Sequence, residues 1–168
     1  MSAPARDEPR SLHVRLGGRI EVIQVASDAD REAALEIRRR VFGDEQGAVQ
    51  LQVSDPDDAR SVIALAVLHL DGQRQPVGTG RLTVGYGPHR QALVAWVATL
   101  PAARNRGVGS AVMRFLLDAA DAVGVSETIL AAQAPAEHFY QRLGFRFAGT
   151  RYDVRGIPHR RMVRPYPG

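Results

Sequence analysis

The sequence predicts a single mixed α/β domain, with an antiparallel meander in mid-chain and a parallel strand–helix–strand unit behind it. Three observations carry this. Segments 61–70 (SVIALAVLHL), 76–84 (PVGTGRLTV) and 91–100 (QALVAWVATL) follow one another and have the β-branched, apolar content of strands. Asp71-Gly72 stands between the first two, a pair suited to a tight hairpin turn. Then Val108, Val112, Phe115 or Leu116, Ala119 and Val123 recur at spacings of three and four, as on one helix face, and Gly124 closes the run. The short apolar segment 127–132 (ETILAA) follows as a strand, so the order implies a right-handed parallel crossover.

The remaining elements fit around that frame. Residues 1–18, rich in Pro, Arg, Asp and Gly and without periodicity, read as a flexible tail, which leaves 19–168 as the domain. Residues 19–26 (RIEVIQVA) read as a first strand on their β-branched content. Ser27, with Asp30 three residues on, starts a helix running to about Phe42, with Ala34, Ile37 and Val41 on one face. Residues 43–60 are acidic and aperiodic, a long loop or a loop plus a short helix, of a kind that often carries function. Pro135 suits the first position of a helix with Ala136, Phe139 and Leu143 on one face, ended by Gly144. A strand over 146–154, a turn at 155–158 and a short final strand over 159–163 complete the chain.

Composition narrows the chemistry. At 168 residues the chain can bury one real core. No apolar stretch reaches membrane-spanning length and the N-terminal residues lack the apolar centre of a secretory signal, so a soluble, cytoplasmic protein with no membrane partner is expected. There is no cysteine, which removes disulfides, thiolate metal sites and a cysteine nucleophile together, and no metal is expected. All 22 basic side chains are arginine, so there is no lysine to form a Schiff base. A net charge of +4 suits an anionic ligand, but the arginines are scattered, so nucleic acid is not expected as a partner.

Residues 101–112 (PAARNRGVGSAV) set Arg104, Arg106, Gly107 and Gly109 between a strand and a helix. The first amides of a helix lack internal acceptors and carry partial positive charge, so this geometry presents backbone N–H groups to an anion. The glycines let a phosphate approach the main chain, and the arginines add charge-assisted contacts. A nucleotide-hydrolase phosphate loop requires lysine, which this chain lacks. A dinucleotide fingerprint requires a third glycine where Val112 stands. A plain glycine turn stays open beside an anion cradle.

The surroundings of the loop resemble the Gcn5-related N-acetyltransferase (GNAT) superfamily. Arg104, Gly107 and Gly109 match the fixed positions of its acetyl-coenzyme A loop, and the phrases IRRRVFGDEQG, PVGTGRLTV, LAAQAPAEHFYQRLGF and GIPHRRM resemble its ElaA-like or YjcF-like branch, over roughly residues 19–164. The resemblance implies a GNAT fold and acetyl-CoA as co-substrate. It places the coenzyme A pyrophosphate on the amides of Arg106, Gly107, Val108, Gly109 and Ser110, with Arg104 beside it. It also pairs the pantetheine arm with the main chain of Val97 and Thr99, and gives Val97 N–H to the thioester carbonyl. Tyr140 matches the family tyrosine that protonates, or hydrogen-bonds to, the leaving thiolate, as a core aromatic beside Phe139 also could stand there. Gln133 occupies a position where many relatives place a cofactor-binding Asn. A homodimer is common among such proteins.

The acceptor is expected to be a small-molecule or peptide amine, and it needs a base. A primary amine of pKa about 10.4 is neutral only about four parts in ten thousand at pH 7, a handicap of about 4.6 kcal/mol. Glu45, which matches the Glu-Gln pair of the branch, is the first candidate and His159 the second; a solvated loop acid and a turn histidine are the plain alternatives. Asp55, Asp57 and Asp58 either attract a cationic acceptor or are simply solvated. Trp96 stands where relatives often carry arginine. Two other classes fit less of the sequence: a non-catalytic acyl-CoA-binding regulatory module, and a nucleic-acid-associated protein using Arg38, Arg39, Arg40, Arg160, Arg161 and Arg164, which read more simply as helix and tail surface.

Overall fold

The computed structural model describes residues 11–13, 18–86 and 90–168. One nine-stranded sheet organises it. Strands β1 (Ser11–His13), β2 (Arg19–Gln24), β3 (Val62–Leu70), β4 (Gln73–Tyr86) and β5 (Gln91–Thr99) pair antiparallel in sequence order, which is the expected three-stranded meander extended at its edge by the expected first strand, β2, and by one further strand, β1. β1 falls within the segment read as tail; residues 1–10 and 14–17 lie outside the described residues. Asp71 (φ 51°) and Gly72 (φ 74°) form the two-residue turn between β3 and β4, both left-handed as a primed hairpin turn requires.

Beyond β5 come helix α2 (Val108–Ala122), strand β6 (Glu127–Gln133), helix α3 (Glu137–Arg142) and strands β7 (Arg146–Phe147), β8 (Tyr152–Val154) and β9 (Ile157–Pro165). β5 and β6 are parallel, as expected, but pair at only two positions, Ala92–Thr128 and Leu93–Ile129, and then part. The expected strand over 146–154 is two short strands, and the expected short final strand is nine residues long. It runs antiparallel to β6 over seven positions and also pairs with β7 and β8. Its three arginines and one histidine hide this in the sequence, because β9 is held by partners on both edges and buries only Met162 and Val163.

The helices cover both faces. Helix α1 (Asp28–Arg38) is capped by Ser27, whose Oγ accepts from Asp30 N at 3.1 Å. It buries Ala34 and Ile37 against Ile63, Leu65 and Ala98, and a turn of π-helix carries the chain on through Glu45. Helix α2 lies on the opposite face over Ala64, Ala66 and Leu82. It can lie close because β4 has glycines beneath it: a Cβ at Gly78 would meet Val108 at 2.7 Å, and one at Gly80 would meet Val112 at 2.8 Å. Its buried stripe is Val108, Ala111, Val112, Met113, Leu116, Leu117 and Ala120, so the face is rotated from the expected one and Val123 is exposed. In α3 the buried aromatic is Tyr140, with Phe139 only partly covered.

Candidate active site

The parting of β5 from β6 opens a cleft whose rim holds most of the residues singled out by the sequence. Leu100 N donates to Val77 O, so the ladder alternation turns the main chain of Ala98 toward β4 and that of Val97 and Thr99 toward β6, where no strand pairs with them. At the far end of β5 the chain turns through Pro101–Ala103 into the glycine loop. Gly107 caps α2 at φ 80°, a left-handed conformation that asks for glycine. The first bond of the helix is Ala111 N to Gly107 O, and among the described residues the amides of Val108, Gly109 and Ser110 have no acceptor. A Cβ at Gly109 would meet the Phe139 ring at 3.4 Å and Thr99 Oγ1 at 3.8 Å, both ordinary contacts, so the packing leaves room there for more than glycine.

A β-bulge lies midway along the cleft. Thr79 opposes Ala98 and Arg81 opposes Ala95, so Trp96 and Val97 together face the single residue Gly80. Trp96 takes φ 57°, a conformation that costs a bulky side chain about 1–3 kcal/mol and persists only where its surroundings fix it. Those surroundings are dense. The indole Nε1 donates to Asp55 Oδ2 at 3.1 Å, Phe42 meets the ring edge-on at 5.3 Å, and the Arg38 guanidinium lies 5.1 Å from the ring centroid. Arg38, fully buried, donates to both oxygens of Asp58 and to Val53 O. Arg81, 3% exposed, donates to Asp55 Oδ1 at 2.6 Å and to Asp58 Oδ1 at 3.1 Å. Burial alone would push the Asp55 and Asp58 carboxyls up. Hydrogen bonds from Arg81 and Trp96 to Asp55, and from Arg38 and Arg81 to Asp58, outweigh it and hold both below the usual carboxylate range. The acidic run is therefore neither free to draw a cationic acceptor nor simply solvated. Two of its members neutralise two buried arginines, which Arg38, read as helix surface, did not foreshadow.

Glu45 does not stand free as a base. Both its oxygens accept from Arg104, at 2.6 Å each, and these bonds hold its carboxyl below the usual range. Arg104 also donates through Nε to Thr99 O at 3.0 Å, so it braces the end of β5 instead of pointing only at the loop amides. The neighbouring Gln46 and Gln133 exchange two amide hydrogen bonds of 3.0 Å. The Glu45–Gln46 pair thus ties the end of the π-helix to two of the expected cofactor residues at once. Gln46 is visible in the sequence only as the second member of the Glu-Gln pair; its role is hidden there because its partner lies 87 positions away. Arg106, like Arg104, is exposed at the loop.

His159 lies opposite Gln133 in the β6–β9 ladder, which brings it to the same end of the cleft. Its Nδ1 is 2.8 Å from Ile157 O. A carbonyl can only accept, so Nδ1 carries a proton, and in the neutral form of the ring the lone pair is on Nε2. Tyr152 stacks beside it with ring centroids 6.0 Å apart. Tyr140 is 8% exposed, packed edge-on against Phe139 and Phe145, and burial pushes its phenol up to about 12. It is a core aromatic and a protonated donor together.

The acetyltransferase (GNAT) family model matches residues 28–145. The chain belongs to that family. This acetyltransferase is 32% identical over 134 residues to the uncharacterized N-acetyltransferase YjcF of Bacillus subtilis, a match covering 78% of this chain and 89% of YjcF. Among solved structures, Escherichia coli ElaA is 25% identical with a TM-score of 0.74, over 86% of this chain and 99% of ElaA. An acyl-CoA N-acyltransferase from Pseudomonas aeruginosa is 27% identical with a TM-score of 0.73, again over 86% and 99%. The resemblance to the ElaA-like and YjcF-like branch and the expected mixed α/β fold are both borne out.

The nucleic-acid reading loses part of its basis in the acetyltransferase. Arg38 is buried, Arg39 pairs with Glu32 and Glu36, and Arg164 is held by both oxygens of Asp121. Arg160 donates to Gly149 O and lies over the Phe147 ring, so four of the six arginines invoked for a basic face are engaged within the chain.

Proposed function

We propose that this acetyltransferase moves the acetyl group of acetyl-CoA to an amine by direct attack within a ternary complex. The observation that carries this is the cleft itself: β5 parts from β6 between a set of unpaired helix amides at one end and a strained bulge midway. The amides of Arg106 to Ser110 receive the pyrophosphate, with Arg106 and a released Arg104 adding charge. The main chain of Val97 and Thr99 pairs with the pantetheine amides as an added strand. Val97 N–H donates to the thioester oxygen, and its value rises as that oxygen gains charge.

His159, not Glu45, is the base. Its Nε2 takes the proton of the acceptor, directly or through a water, as the amine nitrogen bonds to the carbonyl carbon. The C–S bond then breaks and coenzyme A leaves as a thiolate. Tyr140 faces that sulfur as a hydrogen-bond donor. Full proton transfer from a phenol near 12 to a thiolate whose conjugate acid has pKa about 8.5 is uphill by about 4.8 kcal/mol, so stabilisation by the hydrogen bond is its main contribution.

A melting-temperature shift with acetyl-CoA, and none with duplex DNA or free nucleotide, separates this reading from the nucleic-acid one. Thiol release with a panel of small amines, peptides, lysine-bearing proteins and aminoglycosides separates it from a regulatory module. Absence of any shift well above micromolar acetyl-CoA removes the proposal. The enzyme itself adds no thiol background to the assay, because the chain has no cysteine.

A further inference from the structure

The bulge is held by one carboxylate that reaches both of its strands. Asp55 Oδ1 accepts from Arg81 of β4, and Asp55 Oδ2 accepts from Trp96 of β5. Arg81 directly follows Gly80, the residue that the bulge faces, and Trp96 is the left-handed bulge residue itself. Asp55 is in turn fixed, since it caps the 3₁₀ turn Pro56–Arg60 by accepting from Asp57 N at 2.9 Å while its own N–H donates to Asp58. Asp58 is locked by Arg38 and Arg81.

We infer that Asp55 is a positioning residue for acyl transfer, stapling the β4–β5 bulge so that Trp96 stays left-handed and the following amide, Val97 N–H, stays aimed into the cleft. Asp55 touches no reacting atom. A tryptophan at φ 57° does not hold itself there, and a bulge of this kind ordinarily uses glycine at that position. The Asp55 bond fixes the indole, Phe42 and Arg38 confine its ring, and the backbone follows. An oxyanion-type donor works only if it is placed before charge develops, so a relaxed bulge weakens catalysis more than cofactor binding. The departure of Trp96 from its relatives' arginine thus carries its own partner. The inference rests on the proposed role of Val97 N–H, and its test separates the two.

The test compares wild type, Asp55→Ala and Trp96→Phe by infrared difference spectroscopy with acetyl-CoA labelled by ¹³C at the carbonyl. Calorimetric Kd values and kcat with the best amine of the panel accompany the spectra. Trp96→Phe keeps an aromatic ring against Phe42 and Arg38 and removes the indole donor with the smaller part of the ring system, leaving both buried arginines paired, so it reports even if Asp55→Ala unfolds. In wild type the bound carbonyl stretch is expected at lower frequency than in solution. Both variants should return part of that shift and lower kcat by about 10- to 100-fold, short of the roughly 10²- to 10³-fold cost of deleting an oxyanion donor. The acetyl-CoA Kd should stay within about threefold. A wild-type shift that persists unchanged in folded Trp96→Phe overturns the staple alone. A wild-type carbonyl with no shift overturns the Val97 reading, and the staple with it.

Discussion

Replacing Glu45 by glutamine decides between two roles for the most prominent acid of the cleft. The structure gives its carboxylate to Arg104, with side chains 37% and 39% exposed. A pair this exposed is worth about 0.2–1 kcal/mol after solvent screening. Coenzyme A pyrophosphate must compete with Glu45 for the same guanidinium, so Glu45→Gln removes that cost and the adjacent negative charge. The expected result is an acetyl-CoA Kd lower by up to about fivefold, the factor that 1 kcal/mol represents, with kcat within about threefold of wild type. A general base would behave otherwise, because losing one costs about 10²- to 10⁴-fold in rate. Titration calorimetry gives the Kd and thiol release gives kcat. A hundredfold fall in kcat at unchanged Kd would refute the reasoning and restore Glu45 as the base.

Tyr140→Phe should lower kcat by about tenfold or more while shifting stability by under about 1 kcal/mol, read by thiol release and thermal melting, since no partner in the described residues holds the phenol. With its pKa near 12, Tyr140 should impose no alkaline loss of kcat below about pH 10, and a loss centred near pH 10 would mean the phenol is solvated. Glu45, Asp55 and Asp58 all titrate lower in the folded state than in the unfolded chain, so the stability they contribute is complete above about pH 5 and is lost as pH falls below about 4. A melting temperature that is level from pH 7 to 5 and drops below 4 is the expected profile, whereas Asp58→Ala should cost about 3–5 kcal/mol already at pH 7 by leaving Arg38 buried without its carboxylate. Gly107→Ala should destabilise by about 1–2 kcal/mol through its left-handed φ, whereas Gly109→Ala should leave melting nearly unchanged and weaken acetyl-CoA binding.

The sequence by itself determined the elements whose causes are local. The Asp71-Gly72 turn, the Ser27 cap and the repeat of apolar residues in α2 each act within a few positions, so they were legible without any partner. The glycine loop was legible for the same reason: unpaired amides at a helix start follow from where the helix begins, and the family phrases around it supplied the cofactor. What the tertiary structure alone decided depends on partners far apart in the chain. Whether Glu45 is a base or a counter-ion turned on Arg104, 59 positions away. The acidic run read as solvent-facing because Arg38 looked like helix surface, yet burying Arg38 and Arg81 obliges Asp55 and Asp58 to pair with them, since a buried charge without a partner is too costly to keep. β9 became the hub of its half of the sheet through pairings that its own polar residues do not advertise. Local backbone preference wrote the frame of this acetyltransferase, and long-range charge pairing and strand register decided which of its side chains face the cleft.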